Sequence, residues 1–340
     1  MLGSGYHSAG RRVRPRARRL AALVALSALA PRPASTQDQP LAPASSAQFK
    51  VEVGLVLLAA SVRDAAGNPV PALQRADFAV YEDGVEQEIV HFEEEDSPAA
   101  IVLLLDASSS MQGGPLQAAQ RDALAFIEQV DPESELALLA FDRRPRLVQD
   151  LARDRAGLRA AIEQLEARGG TALYDALAQA IELAQTAAAN RKIIVVLSDG
   201  QDLDSATRFG ALVDRVKASA VVIFTLGEYS AAEHKLFMTG AQYTKEPALE
   251  VNLNPVWVLQ SLAELTGGAA FFPAPGRPLG PLWARIAREI HHQYVLGYHP
   301  PPRIGPTRFH QVEVRAISAA HPEPLRVRTR RGYADHGSSS

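Results

Sequence analysis

Cysteine is absent from this 340-residue chain. That excludes disulfides, thiol nucleophiles and cysteine-ligated metals, and leaves packing alone to hold the fold together. An excess of positive charge is missing too. The 35 Lys and Arg stand against 38 Asp and Glu, a formal net charge of −3, so the chain lacks the basic footprint that nucleic-acid phosphates require. The common enzyme signatures are also missing: there is no G-x-S-x-G nucleophile elbow, no G-x-x-x-x-G-K-[ST] phosphate loop, no G-x-G-x-x-G turn after a strand and no H-E-x-x-H zinc helix. His291-His292 does not replace them, because neighbouring helical residues point about 100° apart and do not chelate from one face.

What is present is apolar: 47% of the residues are hydrophobic, enough for one large or two medium globular domains. The first 35 residues carry Arg11, Arg12, Arg14, Arg16, Arg18, Arg19 and Arg32, no acid, and the apolar run Leu20 to Ala30. This is an export-signal pattern. The run covers about 11 residues, short of the roughly 20 that span a bilayer. The expectation is a signal peptide and leader over residues 1–36, no stable transmembrane anchor, and an exported protein, periplasmic or extracellular. Ala25-Leu26-Ser27, Ala28-Leu29-Ala30 and Ala34-Ser35-Thr36 each offer small residues for cleavage. Arg18-Arg19 stands without the rest of a twin-arginine motif and reads as an ordinary basic region. Losing the seven arginines takes the net charge from −3 to −10, so the mature chain is acidic.

Behind the leader the pattern changes twice. From Phe49 the apolar residues alternate through Val51, Val53, Leu55 and Leu57, as in a half-buried strand. Phe78 and Val80 resume the alternation, Asp83-Gly84 is a hairpin turn, and Ile89 to Phe92 returns. The acids Glu93-Glu94-Glu95-Asp96 read as a solvated connector closing an N-terminal β segment of residues 48–96. Beyond them, over residues 98–292, buried strands alternate with amphipathic helices, the signature of an α/β, doubly wound, mostly parallel sheet. Strands are predicted at Ala100 to Leu105, Leu136 to Phe141, Lys192 to Leu197, Ala220 to Leu226 and Gly268 to Phe272. Helices are predicted at Leu116 to Val130, Asp154 to Glu166, Leu173 to Asn190, Ser205 to Lys217, Val256 to Leu265 and Leu279 to His292. Tyr229 to Asn254 lacks clean periodicity and reads as a variable surface loop, the alternative being a functional insertion near the site. Over residues 293–334 alternation returns, with Val312, Val314, Leu325 and Val327 facing inward and Arg326, Arg328 and Arg330 on a solvated face. Residues 335–340 form a disordered tail. Short antiparallel sets need a packed face, so segments 48–96 and 293–334 are expected to join in one small antiparallel β-sandwich.

Three short segments carry the chemistry: Asp106-Ala107-Ser108-Ser109-Ser110, Gly169-Gly170-Thr171 and Leu197-Ser198-Asp199-Gly200. Asp106 and Asp199 close predicted strands, at the carboxyl ends where open α/β sheets bind ligands. Two carboxylates and three hydroxyls are hard oxygen donors, suited to magnesium, manganese or calcium rather than to zinc. Nearby, Asp204 or Ser205 reads as a helix N-cap, and Asp175 as an acid favoured in the first turn of a helix.

The D-x-S-x-S loop, the distant Thr and the later Asp resemble the metal-ion-dependent adhesion site of von Willebrand factor A (VWFA) domains, and all five family positions match. The resemblance implies that Ser108 and Ser110 bind a divalent cation directly, with Mg2+ first and Mn2+ or Ca2+ as alternatives. Thr171, Asp106 and Asp199 then bind it directly or through water, and an Asp or Glu of a protein partner completes the sphere. With Val80-Tyr81-Glu82-Asp83-Gly84, Tyr294-Val295-Leu296-Gly297-Tyr298 and Arg331-Gly332-Tyr333, residues 48 to 334 are similar to exported bacterial VWFA-domain proteins. The function so implied is an exported, metal-dependent adhesion or interaction module that is not an enzyme. The alternative is a metal-dependent hydrolase or a subunit of a metal-dependent enzyme complex, but no histidine lies within a few residues of the three loops to accept a proton.

Overall fold

The computed structural model describes residues 54–95, 97–239, 253–301 and 308–334. The leader, most of the second half of the Tyr229 to Asn254 stretch and the 335–340 tail lie outside the described residues. Strand β1 (Val56–Arg63) buries Leu58, Ala60 and Val62, while Leu55 and Leu57 are exposed. The alternation thus has the opposite phase to the expected one. Residues 55 to 60 are apolar at every position, so periodicity leaves the choice of face open and tertiary pairing makes it. β2 (Phe78–Glu82) and β3 (Val85–Gln87) form a hairpin. Its turn residues Asp83 and Gly84 take φ of 49° and 82°, the positive values that match the twist of paired strands. β4 (His91–Glu95) contains most of the acidic run, which is therefore no connector: Glu93 to Glu95 pair with Val295 to Gln293. As an edge strand it keeps Glu93 and Glu94 in water.

The α/β block follows as β5 (Ala100–Asp106), α1 (Gly114–Ile127), β6 (Glu135–Phe141), β7 (Pro145–Ala152), α2 (Arg155–Glu163), α3 (Leu173–Thr186), β8 (Lys192–Ser198), α4 (Phe209–Ala218), β9 (Val222–Gly227), α5 (Ala231–Thr239), α6 (Pro255–Thr266), β10 (Ala270–Phe271) and α7 (Gly280–His291). Its sheet runs β10-β9-β8-β5-β6-β7 and is parallel except for β7, which pairs antiparallel with β6 at the edge. Ile101, Leu103 and Leu105 face a core with residues of α1, α2 and α7, while Val102 and Leu104 face one with residues of α3, α4 and α6. Coverage of both faces is why these strands read as unbroken apolar runs. The sequence pattern predicts neither β7 nor α5. β7 mixes four apolar residues with charges and proline on a largely wet edge, and α5 buries only Phe237.

The chain then passes from α7 through His292 into β11 (Gln293–Tyr298), followed by β12 (Phe309–Ala316), β13 (Arg326–Thr329) and β14 (Gly332–Ala334). Two antiparallel sheets result, β13-β1-β11-β4 and β14-β12-β2-β3. Leu58, Phe78, Val80, Tyr294, Tyr298 and Val314 are buried in one cluster that both sheets share, with the Phe78 and Tyr294 rings 5.0 Å apart. The architecture is therefore α/β with a mostly parallel central sheet, plus an antiparallel β-sandwich built from strands before and after it.

Two of the arginines expected on a wet face are held by the α/β block. Arg328 donates to Glu289 of α7, and Arg330 donates to the Lys217 carbonyl at 2.9 Å. Arg63 of β1 is buried on the same Glu289, whose side chain is 2% exposed. The outer face of this sheet leans on helices instead of water, and one carboxylate offsets guanidinium groups from β1, from β13 and, through Arg285, from α7 itself.

Candidate metal centre

All three chemical segments arrive at the carboxyl edge of the parallel sheet. Asp106 ends β5 and its neighbour β8 ends at Ser198, one residue before Asp199. The Gly169-Gly170-Thr171 loop is tied to the first segment twice, since Ser109 donates to the Gly169 carbonyl from its N–H at 3.1 Å and from its Oγ at 2.7 Å. Gly169 needs a φ of 73° to make this turn, a conformation that favours glycine.

Burial is graded across the five residues. Asp106, Ser108, Asp199 and Thr171 are 0%, 1%, 4% and 5% exposed, and Ser110 lies open to solvent. Ser108 Oγ and Ser110 Oγ are 2.9 Å apart, and Ser110 Oγ is 3.4 Å from Asp199 Oδ2. Asp106 stands slightly behind, its Oδ1 accepting from the Ser108 N–H at 2.9 Å and its Oδ2 from Ser198 Oγ at 2.8 Å. Asp199 accepts from Gln201 through the backbone N–H at 2.9 Å and Nε2 at 3.2 Å.

No lysine or arginine pairs with Asp106 or Asp199 among the described residues. Burial raises the Asp106 carboxyl above the usual carboxylate range. Asp199 is pushed up to about 6, by burial first and by the negative charge of Asp106 second. Two desolvated carboxylates without a counter-charge are costly, and a hard divalent cation in their midst removes that cost. The residues present thus fit an ion of the magnesium type through their oxygen-only donor set.

Thr171 is set by Asp204, one of the two residues that the sequence pattern offers as a helix N-cap, while Asp175 lies in the first turn of α3 as expected. Asp204 accepts from the Thr171 N–H at 2.9 Å, and the Thr171 carbonyl accepts from the N–H groups of Leu203 and Asp204. Asp202 accepts from the Tyr174 N–H at 3.1 Å, and Ser205 Oγ from the Asp175 N–H at 3.0 Å. Asp175 in turn accepts from the N–H groups of Ala206 and Thr207 at 2.9 and 2.8 Å. Neither Asp204 nor Ser205 caps the following helix, which starts only at Phe209. They brace the Thr171 loop and the start of α3, a long-range role invisible to a local capping rule. Ser198 and Gln201 were also outside the predicted set; only the positions flanking Asp199 hinted at them.

Two further ionisable groups lie elsewhere. Glu228, just after β9, is raised to about 7 by burial and by Asp122 of α1. Glu82, Asp83 and His310 gather in the sandwich, not at the sheet edge. There His310 Nδ1 meets Asp83 Oδ2 at 2.7 Å, and the Tyr298 and Tyr333 hydroxyls both donate to Glu82 Oε2. This cluster knits β2, β11, β12 and β14 together.

A mostly parallel sheet with its acidic and hydroxyl loops at the carboxyl edge defines a class of protein. Residues 101–201, within the α/β block, match the family model of the von Willebrand factor type A domain. An uncharacterized protein of Synechocystis sp. is 33% identical over 137 residues, which is 38% of this chain and 32% of that protein. The chain thus spans about a third of the length of this curated relative. Among solved structures, a von Willebrand factor type A protein from Catenulispora acidiphila is similar with a TM-score of 0.46 at 16% identity, over 74% of this chain and 70% of its own. Proximal thread matrix protein 1 of the mussel byssus, solved with zinc in its metal-ion-dependent adhesion motif, gives 0.43 at 15% identity over 62% and 49%. Among the described residues no helix is long and apolar enough to cross a membrane.

Proposed function

We propose that this protein is an exported interaction module whose A domain holds a divalent cation, magnesium first, through Ser108, Ser110, Thr171, Asp106 and Asp199. The observation that carries this reading is the convergence, on one sheet edge, of five hard oxygen donors whose two buried carboxylates have no cationic partner among the described residues. Ser110 lies on the solvent side of the group, which is where an acidic side chain of a protein partner would approach the ion. When bound, the ion supplies the positive charge that receives this carboxylate. The chain's own residues orient the donors, keep water from Asp106, and leave the Ser110 side open. The arginine-rich leader supports export. No structural observation favours the hydrolytic alternative.

The test is calorimetric titration of the chain with Mg2+, Mn2+ and Ca2+, beside Asp106→Ala and Thr171→Ala. Saturable binding to the native chain, weakened at least about ten-fold in both variants, is the expected result, since removing a ligand or its support typically costs 10–100-fold in metal affinity. Binding that is equal in all three proteins would sink the assignment.

A further inference from the structure

The rim of the candidate centre carries a concentration of arginine that the metal chemistry leaves unused. Arg143 and Arg144 form the turn after β6, Arg146 lies at the start of β7, and Arg168 immediately precedes Gly169-Gly170-Thr171. Arg143 and Arg168 adjoin the site by direct contacts, and Asp142 between them does so through its backbone. The Arg168 N–H donates to the Ala107 carbonyl at 2.8 Å, and the Ala172 N–H donates to the Asp142 carbonyl at 2.7 Å. Arg143 Cγ lies 3.4 Å from where a Cβ on either Gly169 or Gly170 would stand, so the glycine pair leaves room for this side chain against the site loop.

A single carboxylate, Asp142, pairs with two of the four guanidinium groups. Asp142 Oδ2 is 3.5 Å from Arg146 Nε and 3.4 Å from Arg168 Nε. Arg143 and Arg144 are exposed and have no ion-pair partner among the described residues. In a chain whose net charge is −3, this is a local reversal of sign. On the other side of the site, Glu233 of α5 adds to the negative potential at Asp199. The arginines are thus gathered on the β6 and β7 side of the site.

We propose that this arginine rim is a second contact for the same partner, taking carboxylates that flank the one at the ion. The partner is then a protein segment with several Asp or Glu in succession, lying from the centre across the Gly169-Gly170 loop toward β7. The inference rests on the metal-centre reading for its first carboxylate and names the partner class for it. Arginine suits the task because its planar guanidinium donates to carboxylates in pairs and stays charged at any physiological pH. Exposed pairs are individually weak, so the rim acts by number and by steering the encounter, and its effect fades with salt.

The experiment uses the full chain in magnesium buffer with two fluorescent peptides of equal length. One contains six consecutive glutamates; the other has a single glutamate among serines. Three or four weak pairs together predict about ten-fold tighter binding of the polyacidic peptide at low salt, an advantage lost near 1 M salt. The Arg143→Ser/Arg144→Ser double variant should lose the same advantage while its Mg2+ titration stays unchanged, and Arg143→Lys/Arg144→Lys should retain most of it. Equal affinity for the two peptides, or an advantage that survives in the serine variant, overturns the rim. The chelator arm separates the two readings. An arginine-dependent preference that persists in EDTA, with no Mg2+ heat, upholds the rim and removes the metal centre. Normal Mg2+ binding without any preference does the reverse.

Discussion

Ser198 shows how much a single residue outside the five predicted donors matters to the candidate centre. Its hydroxyl donates to Asp106 Oδ2 at 2.8 Å and accepts from the Gly200 N–H at 3.0 Å, so it fixes the orientation of the most buried carboxylate and the turn behind Asp199. Ser198→Ala removes no proposed ligand, yet Mg2+ affinity by calorimetry is expected to fall by roughly ten-fold, the usual cost of losing an outer partner of a ligand. Glu228 gives a different residue-scale prediction. Its carboxyl is raised from 4.5 to about 7 by burial and by Asp122. A raised carboxyl contributes its full stability below the unfolded value, and that contribution is lost as pH rises through the folded one. Stability should therefore fall between about pH 4.5 and pH 7 by at most about 3 kcal/mol from this group. Urea unfolding of Glu228→Gln at pH 5 and pH 7.5 should show a smaller fall than the native chain; an identical fall would contradict the assignment.

Between elements, the decisive contacts are polar and long-range. The loop after β8 and the first turn of α3 exchange hydrogen bonds through Asp202, Ser205 and Asp175. Asp175→Ala deletes the acceptor of two backbone N–H groups and should cost about 1–2 kcal/mol, since net hydrogen bonds to charged groups are worth about 1.5–3 at most. Faster amide exchange of residues 203–207 is the expected signature, with Thr171 loosened in consequence. Glu289 plays the corresponding part at the junction with the sandwich, pairing with the buried Arg63 and with Arg328. Glu289→Ala strands buried guanidinium charge and should destabilise the chain by roughly 3–5 kcal/mol in denaturant titration. A loss below about 1 kcal/mol would mean that water already reaches this junction.

At the scale of the whole molecule, the ion pairs that join the α/β block to the sandwich predict common unfolding. Trp257 and Trp283 both belong to the α/β block, so tryptophan fluorescence follows it alone, while hydrogen exchange in β1, β11 and β12 follows the sandwich. The two midpoints should coincide in the native chain and separate in Glu289→Ala. Distinct midpoints in the native protein would show that each part stands alone. The sequence by itself determined the unbroken apolar runs of β5 and β8, the helices between them and the type of each donor at the centre, because those depend on local patterning and on side-chain chemistry. It did not determine the phase of β1, the strand nature of the Glu93 to Glu95 run or the existence of β7, since an all-apolar or half-wet segment has no period of its own. Nor did it determine the environment of Arg328 and Arg330, or the braces from Asp202 and Asp204 to the Thr171 loop. Those rest on which face another element covers and on partners dozens to hundreds of positions away, and only the packed tertiary structure brings such partners together.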